Sequence, residues 1–511
     1  MLDMLSGKTR KHGTRRVLLL FRRVTWWWGF GMTHSARNRD YTFLGTTQSL
    51  CPTCRRLVDA KIIARRGRVY FRKQCPEHGL IEDFVCSDIA YYDRHEFSTP
   101  ARLPRAFGTA VDKGCPYDCG LCPEHEQHTC IALVEVTSNC NLKCPMCFAE
   151  SGPGGDYIDF ETFQGMVNRY VRLEGQADVL QLSGGEPTLH PEIVRMVRYA
   201  YEQPIAAVMI NTNGIRLAKD AKLLDDLAGM RDRLEIYLQL DGLEESSTLS
   251  LRGEPLLEIK LKALDALQQR GIHVTLVCTV DHRVNLHELG ALVRFGMDRP
   301  EVRGISFQLA TYCGRHTDPA DLENRATMPD VVKAISRQTE GLIQESDFSP
   351  LPCAHPNCHM MCYVYRGGDT PVPIARLVDV KRHLNLVANS IVYTPARVWT
   401  LAQQYAAVTD SCGCGPNGCG SGPLDDFVNK AFAEKLSGED VFRIMLIAFL
   451  DVHNFDVRRV MKCCIGHVLP SGHIVPFCAY NTLYRDGFLS LPPLADAKAQ
   501  PNGRRTLAVV G

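Results

Sequence analysis

Cysteine spacing constrains this chain more than any other feature. All of its 22 cysteines except Cys278 and Cys313 gather into knots, at positions 51/54/75/86, 115/119/122/130, 140/144/147, 353/358/362, 412/414/419 and 463/464/478. Thiols two or three residues apart converge on one point, which suits a metal centre better than a disulfide. A secreted disulfide scaffold is short and far denser in cysteine than these 511 residues. The economical reading is a reducing, cytoplasmic compartment and several metal sites. Apolar residues make up 45% and charged residues 23%, a globular balance with ample core. A net charge of +1 supplies no global field for nucleic acid. No apolar run reaches the roughly 18 residues that span a membrane.

The chain divides into an extension (1–34), a metal-knuckle segment (35–100), a short cysteine segment (101–131), a central α/β domain (132–345), a C-terminal cysteine domain (346–490) and a tail (491–511). The extension carries most of the nine Lys/Arg of residues 1–40, against two Asp, and three Trp at 26–28. Arg22 and Arg23 break its apolar stretch, so it makes a poor secretory signal. It either lies on an anionic membrane surface or precedes a start at Met32.

Between 131 and 345, β-branched runs at Ile131–Val136, Val179–Leu182, Ala206–Ile210, Leu234–Leu240, Val274–Val280 and Gly304–Leu309 alternate with helical periodicity. The helical stretches are Phe160–Leu173, Ile193–Tyr201, Ala221–Met230 and Leu256–Gln269. Such alternation predicts a parallel sheet covered by helices, and six repeats fit a partial (β/α)6 barrel. Chemistry then collects at the C-terminal ends of the strands.

The first of these strands runs into Cys140-Asn-Leu-Lys-Cys144-Pro-Met-Cys147. Three thiolates leave one iron of a [4Fe–4S] cluster open for a small molecule. The second strand ends in Ser183-Gly-Gly-Glu-Pro-Thr188, where glycine lets backbone approach a ligand and Glu186 can accept from an ammonium group. Polar groups also end the third strand (Asn211-Thr-Asn-Gly214) and the fourth (Gln239-Leu-Asp-Gly242). In these motifs the chain resembles the radical S-adenosylmethionine (SAM) enzymes. The resemblance implies that Cys140, Cys144 and Cys147 hold the cluster and that Gly184, Gly185, Glu186 and Pro187 meet the SAM amino group. It further implies that Asn213 and Asp241 line the ribose or substrate side. One electron passed into the sulfonium would then yield methionine and a 5′-deoxyadenosyl radical that removes a hydrogen atom from an unactivated carbon. The protein's part is positioning and exclusion of water.

The flanking knots read as further centres. Cys51, Cys54, Cys75 and Cys86 can build a tetrahedral site for zinc or a single iron, with His78 as the substitute fourth ligand if the metal is zinc. Cys115, Cys119, Cys122 and Cys130 can close an auxiliary [4Fe–4S] cluster. Cys353, Cys358 and Cys362 need a fourth thiolate from far along the chain; of Cys464 and Cys478, Cys478 is favoured because it ties the domain back on itself. The Cys412–Cys419 loop is either a further metal loop or a redox-sensitive insertion, and Cys278 and Cys313 read as core or pocket thiols. The run Val441–Leu450, with Ser437 as N-cap, reads as an apolar helix.

In its order of motifs the chain resembles the archaeal tetraether synthase family, also described as pterin methyltransferase-like radical SAM proteins. That resemblance implies coupling of lipid alkyl carbons, two auxiliary clusters, one mononuclear iron or zinc, and an electron donor of flavodoxin or ferredoxin type. The basic Trp-rich extension, a departure from that family's pattern, fits an enzyme that touches the inner membrane face peripherally. A radical methyltransferase, or a peptide- or pterin-modifying enzyme, is the enzymatic alternative. A multi-cluster electron-transfer protein is the alternative without catalysis.

Overall fold

In the computed structural model the described residues are 39–495, except 317, 318, 320, 368, 369, 378, 385–387, 390, 393–398, 401, 402, 404–426, 428, 431, 432, 434, 435, 437 and 438. The basic Trp-rich extension and the Cys412–Cys419 loop therefore lie outside the described residues.

The chain first builds a small four-stranded antiparallel sheet from β1 (Thr42–Leu50), β2 (Leu57–Arg65), β3 (Arg68–Cys75) and β4 (Gly79–Cys86). Alternation sets its inner face: Val58, Ala60 and Ile62 are buried while Asp59 and Lys61 are exposed. This sheet is pinned to the rest of the protein through a buried charge. The Lys73 ammonium, with no exposed side-chain surface, pairs with Asp83 Oδ2 at 2.8 Å. It also donates to the carbonyls of Leu50, Val452 and His453 at 2.9, 3.0 and 2.7 Å. Asp83 Oδ1 in turn meets His453 Nδ1 at 3.1 Å.

The main sheet begins with β5 (Ile131–Thr137). It continues through α1 (Phe160–Glu174), β6 (Ala177–Gly184), α2 (Ile193–Glu202), β7 (Ile205–Thr212), α3 (Ala221–Ala228) and β8 (Leu234–Gln239). Two helices, α4 (Glu245–Arg252) and α5 (Leu257–Gln268), precede β9 (His273–Val280), and α6 (Leu289–Met297) precedes β10 (Val302–Leu309). Strands β5 to β10 are parallel neighbours in chain order, the six βα repeats expected from periodicity. Side chains cap α1 and α3 at their starts: Asp159 accepts from Thr162 N–H and Asp220 from Leu223 N–H, and Gly175 at φ 73° ends α1. The main core packs Phe163, Val167, Tyr170, Met196 and Leu264 against the strands.

After α7 (Met328–Gln338) come β11 (Ser349–Pro350), β12 (His359–Tyr365), β13 (Val372–Pro373) and β14 (Val441–Ile447). Following α8 (Val457–Met461), β15 (Ile465–Val468) and β16 (Ile474–Pro476) complete the order. These late strands occupy both edges of the barrel sheet: β14 runs parallel to β10 and β15 parallel to β5. The expected apolar helix at Val441–Leu450 is thus a strand over 441–447. Its burial alternates, with Phe442, Ile444 and Leu446 inward, which is a period of two. The N-cap expected at Ser437 lies outside the described residues. No helix of the described residues is long and apolar enough to cross a membrane.

Removing the Lys73 ammonium takes the charge partner from the buried Asp83 carboxylate and leaves it His453, at a cost of about 3–5 kcal/mol. Lys73→Met should therefore lower the thermal midpoint and open the segment before β5 to limited proteolysis; an unchanged midpoint would contradict this role for the pair.

Candidate active site and metal centres

The C-terminal ends of β5 to β10 surround a cavity of about 150 Å³. The loop after β5 brings Cys140, Cys144 and Cys147 to its wall, with Gly184, Gly185, Glu186 and Asn213 beside them. No disulfide joins any of the described cysteines. Burial raises the Cys140 thiol to about 12 and also raises that of Cys144, so in isolation both hold their protons. Three unpaired thiols on one cavity wall are a donor set that fits a cluster with one iron left for a further ligand.

The glycines after β6 serve the chain's own packing. Gly184 has φ 118°, and a Cβ on it would lie 2.2 Å from the Thr137 carbonyl oxygen. A Cβ on Gly185 would lie 2.2 Å from the Asn139 carbonyl oxygen. The two strand ends therefore touch backbone to backbone immediately before Cys140, through Gly185 N–H to Thr137 O at 2.7 Å and Glu186 N–H to Asn139 O at 2.8 Å. Glu186 is 1% exposed and already accepts four hydrogen bonds. They come from the Thr188 N–H and hydroxyl, the Thr212 hydroxyl and the Asn213 N–H. Its carboxylate locks the ends of β6 and β7 together. Pro187 starts a buried 3-10 turn behind the cavity and does not line it.

Asn213 both lines the cavity and reaches the cluster loop, donating to Asn141 Oδ1 at 2.7 Å. Asp241 departs from its expected place. It is fully buried, absent from the cavity wall, and bidentate to Arg252 at 2.6 and 2.6 Å. Arg252 ends α4, reaches the cavity and faces Cys144, so Asp241 acts by holding this guanidinium. Sequence reading missed Arg252 and also Arg315. The latter donates from its backbone to Cys147 O at 3.0 Å and from its side chain to Ser151 O at 2.8 Å and to Cys144 O. Gly314, at φ 60°, passes so close that a Cβ would lie 2.3 Å from Cys147 O.

In the small sheet, ligand atoms of Cys51, Cys54, Cys75 and His78 all lie within 4.8 Å of one another. Burial acts to raise the Cys75 thiol, but hydrogen bonds from His78 and from backbone N–H groups outweigh it and bring it down to about 6. Cys86 is corrected out of this set. It pairs in register with Val69, whereas Cys75 pairs with Gly79 at the other end of the hairpin. Seven residues of extended strand separate the two positions by roughly 23 Å. Buried in the sheet's own core, the Cys86 thiol is pushed up to about 12.

Cys115, Cys119 and Cys122 stay together on a loop folded by Asp118, whose Oδ2 accepts from the N–H groups of Asp112, Lys113 and Gly114, each at 2.7 Å. Cys130 does not join them; it contacts Cys353 and Cys464 instead. Cys130 and Cys464 immediately precede the paired parallel strands β5 and β15, and Ile131 N–H bonds Cys464 O at 3.0 Å. Cys358 faces Cys464 and accepts from Arg459 Nε at 3.2 Å. Cys362 is corrected out of this second set. It lies within β12, where alternation turns it with Met360 and Val364 into the main core, beside Asp347 and Arg376. Cys478 accepts from Leu450 N–H at 3.3 Å, near Cys358. Cys278 is buried core; Cys313 is buried near Thr482.

Residues 134–296 match the Radical SAM superfamily and residues 43–87 match the HMPTM N-terminal zinc ribbon domain. A 7,8-dihydro-6-hydroxymethylpterin dimethyltransferase of Methanocaldococcus jannaschii is 33% identical over 481 residues, covering 86% of this chain and 94% of its own. An Fe-coproporphyrin III synthase of Methanosarcina barkeri is 27% identical over 220 residues, covering 42% of this chain and 51% of its own. Streptococcus suis SuiB bound to precursor peptide SuiA superposes with a TM-score of 0.35 at 16% identity, covering 42% of this chain and 46% of that one.

A Cys3His set is a zinc-type donor set. His78→Ala should drop bound zinc well below the roughly one equivalent expected for a structural site, whereas Cys86→Ala should retain it. Metal analysis of the two purified variants decides this, and zinc loss from Cys86→Ala alone would reverse the assignment.

Proposed function

The chain belongs to the radical SAM superfamily and, within it, to the family of the Methanocaldococcus jannaschii 7,8-dihydro-6-hydroxymethylpterin dimethyltransferase, and we propose that it joins unactivated carbons of lipid alkyl chains. The observation that carries this reading is the apolar wall facing the cluster loop. Phe148, next to Cys147, meets Phe449 and Phe477 edge-on at 5.5 and 5.7 Å, and those two rings lie 4.5 Å apart. Leu133 and Ile447 pack with these rings, and Ile131 and Val277 add apolar surface to the cavity. Such a surface takes saturated chain and keeps water from a reactive carbon.

Cys140, Cys144 and Cys147 would hold the [4Fe–4S] cluster, with SAM against Gly184, Gly185, Glu186 and Asn213. When bound, the cluster supplies the electron that cleaves SAM to methionine and a 5′-deoxyadenosyl radical able to take hydrogen from an alkyl carbon. The residues themselves do no proton chemistry in this step. Arg252 and Arg315 hold the loop, Asn213 ties it to β7, and the three phenylalanines exclude water. The Cys115/Cys119/Cys122 set and the Cys130/Cys353/Cys358/Cys464 set, with Cys478 beside the second, are the candidates for auxiliary clusters. A flavodoxin or ferredoxin type of donor would supply electrons, and the Trp-rich extension would carry any peripheral membrane contact.

Methyl transfer to a pterin is the second reading. It is favoured by the name of the Methanocaldococcus jannaschii relative and by four carboxamides that line the cavity, Gln181, Asn211, Gln239 and Gln308, on β6, β7, β8 and β10. Such side chains pair well with the alternating donors and acceptors of a pterin edge.

Joining two chains removes one hydrogen from each, so two SAM and two electrons are consumed per bond. With chain-deuterated lipid, dithionite and the reconstituted protein, deuterium should appear in 5′-deoxyadenosine, with about two nucleosides formed per coupled product. Cys144→Ala should form none. Deuterium-free 5′-deoxyadenosine together with a methylated pterin would favour the second reading instead.

A further inference from the structure

The part of the cavity wall next to β5 is built from β15 and the helical turns after β16. His467, Phe477, Asn481 and Arg485 come from there, and Glu135 on the neighbouring β5 lies beside them. Four of these side chains form a ring closed on three of its four sides. Arg485 donates to both Glu135 oxygens, at 3.1 Å to Oε2 and more closely to Oε1, and its Nε donates to Asn481 Oδ1 at 2.9 Å. Asn481 Nδ2 donates to Phe477 O at 3.0 Å and faces His467 Nε2 at 3.3 Å. An amide nitrogen has only hydrogens to offer, so Nε2 accepts and the single imidazole proton sits on Nδ1. The imidazole lies nearly parallel to the Phe477 ring, 16° off at 5.1 Å, which fixes its plane.

One side of the ring stays open. His467 Nδ1 is 3.8 Å from Glu135 Oε1, too far for a hydrogen bond, and both residues line the cavity. We propose that this gap is the substrate's anchoring subsite and that it takes an alcohol, whose oxygen accepts from His467 Nδ1–H while its proton is donated to Glu135. The charges select the class. An anion would meet the Glu135 carboxylate, and an ammonium would meet the Arg485 guanidinium that already compensates it. A ketone or ether could use the imidazole but would leave the carboxylate without a donor, whereas a hydroxyl satisfies both at once. Burial brings the His467 imidazolium down to about 4, so the neutral tautomer that donates from Nδ1 prevails near pH 7. A primary hydroxyl here would leave the rest of a substrate against the phenylalanine wall and toward the cluster loop.

This inference rests on the reading that a lipid occupies the cavity, and its test separates the two. The probes are a chain-deuterated dialkylglycerol with a free primary hydroxyl and its O-methyl ether, both in detergent micelles with the reconstituted full chain and SAM. Equilibrium binding and deuterium transfer to 5′-deoxyadenosine are read for each. The free alcohol should bind about tenfold more tightly, the worth of one well-made hydrogen-bond pair. In Glu135→Gln and His467→Phe proteins that still hold iron, the ratio should fall toward one. Equal binding of the two probes to the wild-type protein overturns the alcohol subsite, even if both donate deuterium. A tenfold ratio without deuterium transfer from either probe supports the subsite and overturns lipid coupling.

Discussion

The close approach of two strand ends governs the rest of this structure. Gly184 and Gly185 let the end of β6 lie directly on the backbone of Thr137–Asn139, where any side chain would meet a carbonyl oxygen at 2.2 Å. That contact places the cluster loop at the mouth of the barrel and turns Glu186 inward, where its four accepted hydrogen bonds fix β7 as well. Three strand ends are thereby held as one rigid platform. The long loop carrying Cys140, Cys144 and Cys147, between Thr137 and Phe160, is nonetheless positioned, because its base is fixed on two sides and Arg315 clamps it further along.

The second organising feature is how the C-terminal third completes the barrel. β14 and β15 add to opposite edges of the same sheet, so the segments after residue 345 close over the cavity from both sides. Two consequences follow from that geometry. Parallel pairing of β15 with β5 brings Cys464 beside Cys130 at the strand starts, and it brings His467 onto the cavity wall beside Glu135. One sheet edge therefore carries both a cysteine set and a set of polar side chains facing the reactive centre. The matched radical SAM residues supply the platform, and the later segments supply the wall that a substrate would meet.

Much of this was legible in the chain. The six barrel strands and the first helices fell where periodicity placed them, because a strand buried on both faces reads as a continuous apolar run and an amphipathic helix repeats every three or four residues. The Cys-x3-Cys-x2-Cys loop and the GGEP turn were equally clear, since their chemistry is local. The failures have physical causes too. Val441–Ile447 is apolar and interrupted by Arg443 at a position either period tolerates, and only its alternating burial shows the strand. Asp241 looked like a cavity residue because it ends a barrel strand, yet Arg252, eleven residues on, draws its carboxylate into a buried bidentate pair.

Metal-ligand sets divide in the same way. Spacing determined which thiols are neighbours when they share one turn or loop: Cys51 with Cys54, Cys115 with Cys119 and Cys122, and Cys140 with Cys144 and Cys147. It could not determine partners across the fold. The turn shared by Cys75 and His78 sets those two together, whereas hairpin register puts Cys86 far away. Strand alternation buried Cys362 in the core, and parallel pairing joined Cys130 to Cys464 across more than three hundred residues. The sequence by itself determined the six βα repeats and the thiols of the cluster loop, because periodicity and spacing are carried by neighbouring residues. Only the tertiary structure decided which distant thiols meet and what faces the cluster, because both depend on how strands pair, and pairing is settled by the packing of the whole sheet.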